Sequence, residues 1–270
     1  MKSLWLAITF LVRIPLPQPD IRDREKFSQS VVWFPVVGFV VGILIVITYT
    51  RILRPLWSDH LSRVLSLIML VWIKDAFHLD GLSDFVDGLH GGSHPDERHN
   101  IMKDSCVGVM GLLSILTAIG IQVFCMLELP LRWFIIGMIM LPMLGTVQAV
   151  ILLGANTKED GGLGAKFSSG STSMYSITPW LISFLLILAV DPTVTMLLWI
   201  LFPVLTMIFM YVIEQDLNQI TGDVCGAWIV IVQTLGWLLY VPLSKIPYWT
   251  SFESGLVKGS LFWMLRKWVQ

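Results

Sequence analysis

The chain has 270 residues, of which 55% are hydrophobic and only 14% charged, with a formal net charge of −1. A soluble domain carries nearer a quarter charged residues, so a mean hydropathy of +0.75 places the chain among polytopic membrane proteins, whose spans each need about 20 apolar residues. The charge balance argues against nucleic-acid binding. Cys106, Cys125 and Cys225, odd in number and without metal-type spacing, argue against a disulfide framework and read as inert thiols.

The N-terminal run MKSLWLAITFLVRIPLPQP has a lysine and an apolar stretch, but Arg13 interrupts it and no small-residue cleavage site follows. It reads as a retained interfacial or re-entrant segment. Apolar windows then predict spans near 31–50, 61–78, 107–129, 133–155, 177–191, 194–213 and 224–243. The expected fold is an all-α, polytopic integral membrane helical bundle of about seven transmembrane helices, with 1–270 as one membrane domain. Only Asp191-Pro192 separates the fifth span from the sixth, and the fifth is short, so a re-entrant fifth segment stays open. The last stretch, GLVKGSLFWMLRKWVQ, suits a helix lying in the interface.

With seven crossings, the polar loops at about 79–106, 156–176 and 214–223 emerge on the same side as the N-terminus. Lys and Arg are nearly balanced between the two sides, and the dense N-terminal cluster of Arg22, Arg24 and Lys26 favours a cytoplasmic site.

Within the first of those loops, DAFHLDGLSDFVDGLHGG concentrates carboxylates in an otherwise apolar chain. If the second span continues as a helix past His78, Asp80, Asp84 and Asp87, spaced i, i+4 and i+7, fall within an arc of about 60°. Leu82, Phe85, Val86 and Leu89 then take the opposite face. Adjacent anions repel unless cations compensate, and hard oxygen ligands suit Mg²⁺. Two such ions could clamp both oxygens of a phosphoryl transfer. The plainer alternative is a solvated loop whose aspartates mark the membrane boundary. Gly81 and Gly88 favour the metal reading, because each costs a helix about 1 kcal/mol and so points to close approach of a ligand or backbone.

His90, His94 and His99 follow, but Gly91, Gly92, Ser93 and Pro95 interrupt any shared helix face and leave zinc poorly supported. His78 either orients a phosphate or carboxylate or is a satisfied interfacial histidine. Lys103 and Asp104 in IMKDSCVGVMG, and Lys158 and Lys166 around EDGGLGAKF, stand beside glycine turns that suit anions. Each lysine is alternatively an interfacial anchor. In TGDVCGA, Thr221 is an N-cap candidate for the seventh span and Asp223 a further wall of a site.

HLDGLSDFVDGLHGG followed by ERHNIMKDSCVGVMG strongly resembles the signature of the cobalamin synthase (adenosylcobinamide-GDP ribazoletransferase) family. The likeness extends, in order, to FLVRIPLP, FPVVGFVVG, GLGAKF and TGDVCGA. It implies a multi-pass enzyme of the cell (inner) membrane, facing the cytoplasm, that joins adenosylcobinamide-GDP to α-ribazole or α-ribazole 5′-phosphate with Mg²⁺ and releases GMP. The ribose 3′-hydroxyl would attack the cobinamide-linked phosphorus. Asp80, Asp84 and Asp87 would hold metal and serve catalysis, the carboxylate least committed to metal taking the hydroxyl proton. Arg13, His78, Lys103, Asp104, Lys158, Lys166 and Asp223 are the substrate-binding candidates. Partners are the two substrates and the bilayer, with a homo-oligomer left open.

Departures from the family pattern fall beside the site. Cys106 stands where relatives usually have Arg after the KDS triplet, NTKED replaces an Arg-Pro-containing stretch, Asn218-Gln219 replaces a glycine pair, and the seventh span lacks glutamates. Two rivals share some features. A CDP-alcohol phosphatidyltransferase would carry Ala-Arg where Ser83-Asp84 stand, and an ion-coupled transporter would show inverted repeats and acids at midmembrane, which are not found.

Overall fold

A backbone surrounded by lipid must bond to itself, and the described elements do so as helices. The computed structural model describes residues 2–12, 28–74, 76–155, 173–190 and 194–246. In chain order the principal helices are α1 (Lys2–Leu11), α2 (Ser28–Leu56), α3 (Asp59–Ile73), α4 (Phe77–Gly91), α5 (Pro95–Met102), α6 (Val109–Glu128), α7 (Leu131–Ala155), α8 (Ser173–Val190), α9 (Val194–Leu217) and α10 (Gly222–Ser244).

Five of these, α2, α6, α7, α9 and α10, are long and apolar enough to cross a membrane. They coincide with five of the seven predicted spans. The predicted fifth span is a shorter apolar helix, Ile177–Val190. The predicted second span does not run past His78. It ends at Ile73, and a new helix starts at Phe77 after Ala76 adopts φ 54°, in the left-handed region. That conformation costs a non-glycine residue about 1–2 kcal/mol, so the break is imposed by packing rather than by local preference.

The N-terminal segment likewise packs on the bundle. At ten residues, or about 15 Å of helix, α1 cannot cross. It buries Leu6, Ala7 and Leu11 in the bundle and stacks Phe10 on Phe34 with ring centroids 5.6 Å apart. Phe10 also meets the edge of Phe77 at the start of α4. Arg13 and the C-terminal stretch 255–270 lie outside the described residues.

The central helix is α7, buried almost throughout and flanked by α2, α8, α9 and α10. Its closest neighbour is α2, whose Gly38 and Gly42 form a four-residue small-residue spacing of the kind that lets membrane helices approach. A Cβ on Gly42 would sit 2.6 Å from the Ile139 Cα and the Met138 carbonyl oxygen, and one on Gly38 would sit 2.8 Å from the Pro142 carbonyl oxygen. Outer faces carry exposed apolar residues such as Leu44, Leu116, Ile200 and Met207, as a lipid-facing surface requires.

At the end of the bundle remote from Asp87, Arg63 is 5% exposed. Its Nη1 donates to the Met126 and Leu129 carbonyls, which the terminus of α6 leaves open. Its Nε pairs with Asp59 at 2.8 Å, and its guanidinium lies 4.9 Å from the centre of the Phe134 ring. Asp59 also accepts from the Tyr49 hydroxyl. Arg63 is thus a buried helix cap.

Candidate active site

The break at Ala76 sets the direction of α4, and α4 presents its carboxylates. Of the predicted apolar face Leu82 and Phe85 are buried and Val86 and Leu89 half-buried, while Asp84 and Asp87 are half-buried and Asp80 is exposed. Phe85 anchors the inward side against Phe209, which in turn stacks on Trp228 with centroids 4.1 Å apart.

The glycines explain how a second element reaches the carboxylates. A Cβ on Gly81 would lie 2.9 Å from the Asp223 carbonyl oxygen and 3.1 Å from its Cα. One on Gly226 would lie 3.5 Å from the His78 Cα. Bare backbone on both helices thus allows the start of α10 to lie against α4. The Thr221 side chain accepts the Val224 N–H at 3.3 Å and caps α10 as its sequence predicts. Asp223 therefore joins Asp80, Asp84 and Asp87 at the polar end of the bundle. Close approach does account for Gly81, and what approaches is backbone.

The electrostatic consequence shows at Asp84, which lies outside the five spans. Partial burial, followed by the neighbouring charges of Asp80, Asp223 and Asp87, pushes its carboxyl up to about 6. Burial is the larger cause and the neighbouring carboxylates the smaller, and the donor set, oxygen ligands of one sign, has the chemistry that suits a hard cation. Asp80 and Asp84 are the open donors. Asp87 is engaged differently, since its Oδ2 accepts the Gly108 N–H at 2.7 Å and its Oδ1 accepts the Gly111 N–H at 2.8 Å. Among the described residues no group of three His, Cys, Asp or Glu side chains is already arranged to hold a metal.

The remaining candidates divide by position. Lys103 and Asp104 are exposed in the turn after α5, where the Asp104 carboxylate accepts the Cys106 N–H at 3.1 Å. His78 turns into the bundle, 6% exposed, with its Nδ1 unpartnered. It lines a cavity of about 30 Å³ at the helix break together with Lys74, Gln122 and Gln233. Lys158, Lys166 and Arg13 lie outside the described residues. His90 is exposed and bonds to the Val86 carbonyl of its own helix, and the buried His99 bonds to the Pro95 carbonyl.

The sequence reading does not find Arg98. Its Nε donates to the Gly92 carbonyl at 3.0 Å, and its Nη1 reaches the Asp216 carboxylate at 2.8 Å and the Asp216 carbonyl at 3.0 Å. It ties α5 to the end of α9. A partner 118 positions away leaves no local signal.

The family model for cobalamin-5-phosphate synthase matches residues 3–241. An adenosylcobinamide-GDP ribazoletransferase of Chlorobaculum tepidum is 30% identical over 261 residues, covering 92% of this chain and 98% of that protein. One of Desulforamulus reducens is 30% identical over 245 residues, covering 89% and 96%. One of Desulfitobacterium hafniense reaches 41% over 114 residues, 42% of this chain and 44% of that protein. No solved structure matches. With the family model covering all of α2 through α9 and most of α10, the chain belongs to the cobalamin-5-phosphate synthase family.

Proposed function

We propose that the chain transfers the cobinamide phosphate of adenosylcobinamide-GDP to α-ribazole or α-ribazole 5′-phosphate, releasing GMP. The observation that carries this reading is the carboxylate cluster of Asp80, Asp84 and Asp223, built where Gly81 admits the start of α10 at the polar end of a membrane bundle. The names of the similar proteins supply the donor substrate and the class of acceptor.

In the proposed step a ribose hydroxyl oxygen forms a bond to the cobinamide-linked phosphorus. The bond from that phosphorus to the bridging oxygen breaks, and GMP leaves with the electron pair. The hydroxyl proton passes to a carboxylate of the cluster. Asp80 and Asp84 would hold Mg²⁺, which when bound supplies charge neutralisation at the diphosphate oxygens. Lys103 offers a further positive charge from the adjoining turn.

The site is proposed to face the cytoplasm of the cell membrane. Inside-out vesicles containing the protein are expected to release GMP from added adenosylcobinamide-GDP and α-ribazole, to stop on chelation, and to resume with Mg²⁺. Right-side-out vesicles should release none. GMP release confined to right-side-out vesicles would reverse the orientation, and none in either would reject the activity.

Cation demand is also readable without turnover. Asp84 has a folded value above its unfolded one, so its protonation stabilises the fold fully only below the ordinary carboxylate range. That contribution is lost as pH rises from about 4 to about 6. With chelator present, this group should lower the melting temperature across that window. Added Mg²⁺ should restore it, with a shift larger at pH 7 than at pH 5. An equal shift at both values would mean that the cation does not bind at this carboxylate.

A further inference from the structure

Asp87 and Gly88 are neighbours on α4, and between them they hold both ends of the segment linking α5 to α6. At the far end, both Asp87 oxygens accept amides from the start of α6. That helix has Gly108 as its N-cap and so no side-chain cap of its own. A carboxylate from another helix therefore supplies the cap, with the negative charge that a helix start favours. The fit is closed. A Cβ on Gly108 or Gly111 would collide with the Asp87 carboxylate, and one on Gly111 would also strike the buried Ser83 Oγ.

At the near end, Gly88 receives α5. A Cβ there would lie 2.5 Å from Met102 Cγ and 3.0 Å from the Arg98 carbonyl oxygen. Arg98 then fixes α5 to Gly92 and Asp216. The segment from Lys103 to Val107 is thus pinned at both ends to the helix that carries Asp80 and Asp84.

We propose that Asp87 is a positioning residue rather than a metal ligand. It holds the Lys103–Val107 segment in register with Asp80 and Asp84, so that Lys103 meets the diphosphate of the nucleotide substrate. This rests on the transferase reading above. Two charge-assisted bonds from amide to carboxylate would be weakened if Asp87 turned to a cation, whereas Asp80 and Asp84 have no such commitment. An asparagine at this position keeps one acceptor and points an amide donor at the other N–H. Asp87→Asn should therefore loosen the segment while leaving the metal donors in place.

The test compares Asp87→Asn with Gly111→Ala, which attacks the same contact from the other helix, and with Asp84→Asn. Mn²⁺ binding by electron paramagnetic resonance, hydrogen exchange over residues 103–111 and GMP-release kinetics are measured on the purified full chain. Asp87→Asn and Gly111→Ala should lose far less Mn²⁺ affinity than Asp84→Asn and should exchange the 103–111 amides at least about tenfold faster than wild type. Both should raise the KM for adenosylcobinamide-GDP about tenfold or more, with a smaller change in kcat. A Mn²⁺ affinity lowered in Asp87→Asn as far as in Asp84→Asn, with Gly111→Ala unaffected, would make Asp87 a ligand and overturn the assignment. Unaltered exchange and KM would overturn it as well. If the wild-type protein released no GMP, the transferase reading would fall, and the exchange and Mn²⁺ measurements would still decide the role of Asp87.

Discussion

Asp84→Asn is expected to abolish GMP release while making the metal-free protein more stable. Asp84 is the carboxylate on which burial and the charges of Asp80, Asp223 and Asp87 converge. Replacing it with an amide removes the anionic donor proposed for the cation and almost no volume. The expected loss in kcat/KM is about a thousandfold or more, or about 4 kcal/mol of transition-state stabilisation. The same change relieves repulsion within the cluster, so the melting temperature in chelator should rise above wild type at pH 7. Opposite signs for activity and stability separate a lost ligand from lost structure. Near-normal turnover would remove Asp84 from the site, and a lowered melting temperature would assign the lost activity to unfolding.

Gly42→Leu should be the most damaging single change to the scaffold. The added Cβ meets the Ile139 Cα and the Met138 carbonyl oxygen, which are backbone atoms of the central helix and cannot rotate aside. To relieve the contact α2 must move off α7, at a cost of about 3 kcal/mol or more. Leu44→Ala, two positions on and 53% exposed toward lipid, should change stability little. Melting of the two variants in detergent checks the contrast. A Gly42→Leu protein that melts with the wild type would mean that α2 and α7 do not meet there.

The carboxylate face was readable because i, i+4, i+7 spacing survives wherever a helix forms, and that depends only on local geometry. The helix break was not. Ala76 carries none of the usual marks of a left-handed turn, which glycine or asparagine would have supplied. Asn218, also left-handed at φ 58°, closes α9 at a position where the family resemblance leads one to expect glycine. Gly81 was readable as a point of close approach, though the sequence could not say whether a ligand or Asp223 would arrive. Asp87 spaced with Asp80 and Asp84 looks like an equal third member. Its commitment to Gly108 and Gly111 depends on which helix start folds back against it. The capping role of Arg63 was not readable either, because its carbonyl partners, on Met126 and Leu129, belong to another helix.

The pairing of α4 with α10 also carries a timetable. The helix bearing Asp80 and Asp84 is synthesised early, yet the backbone that lies against its Gly81 comes from the last of the described helices. Until α10 emerges from the ribosome, α4 has no Asp223 beside it, and its buried positions lack the wall against which they pack. A nascent chain released after α9 would hold four of the five described helices long enough to cross a membrane but only one side of the carboxylate cluster. Stalling experiments should therefore find protease-resistant spans well before divalent cations begin to protect α4.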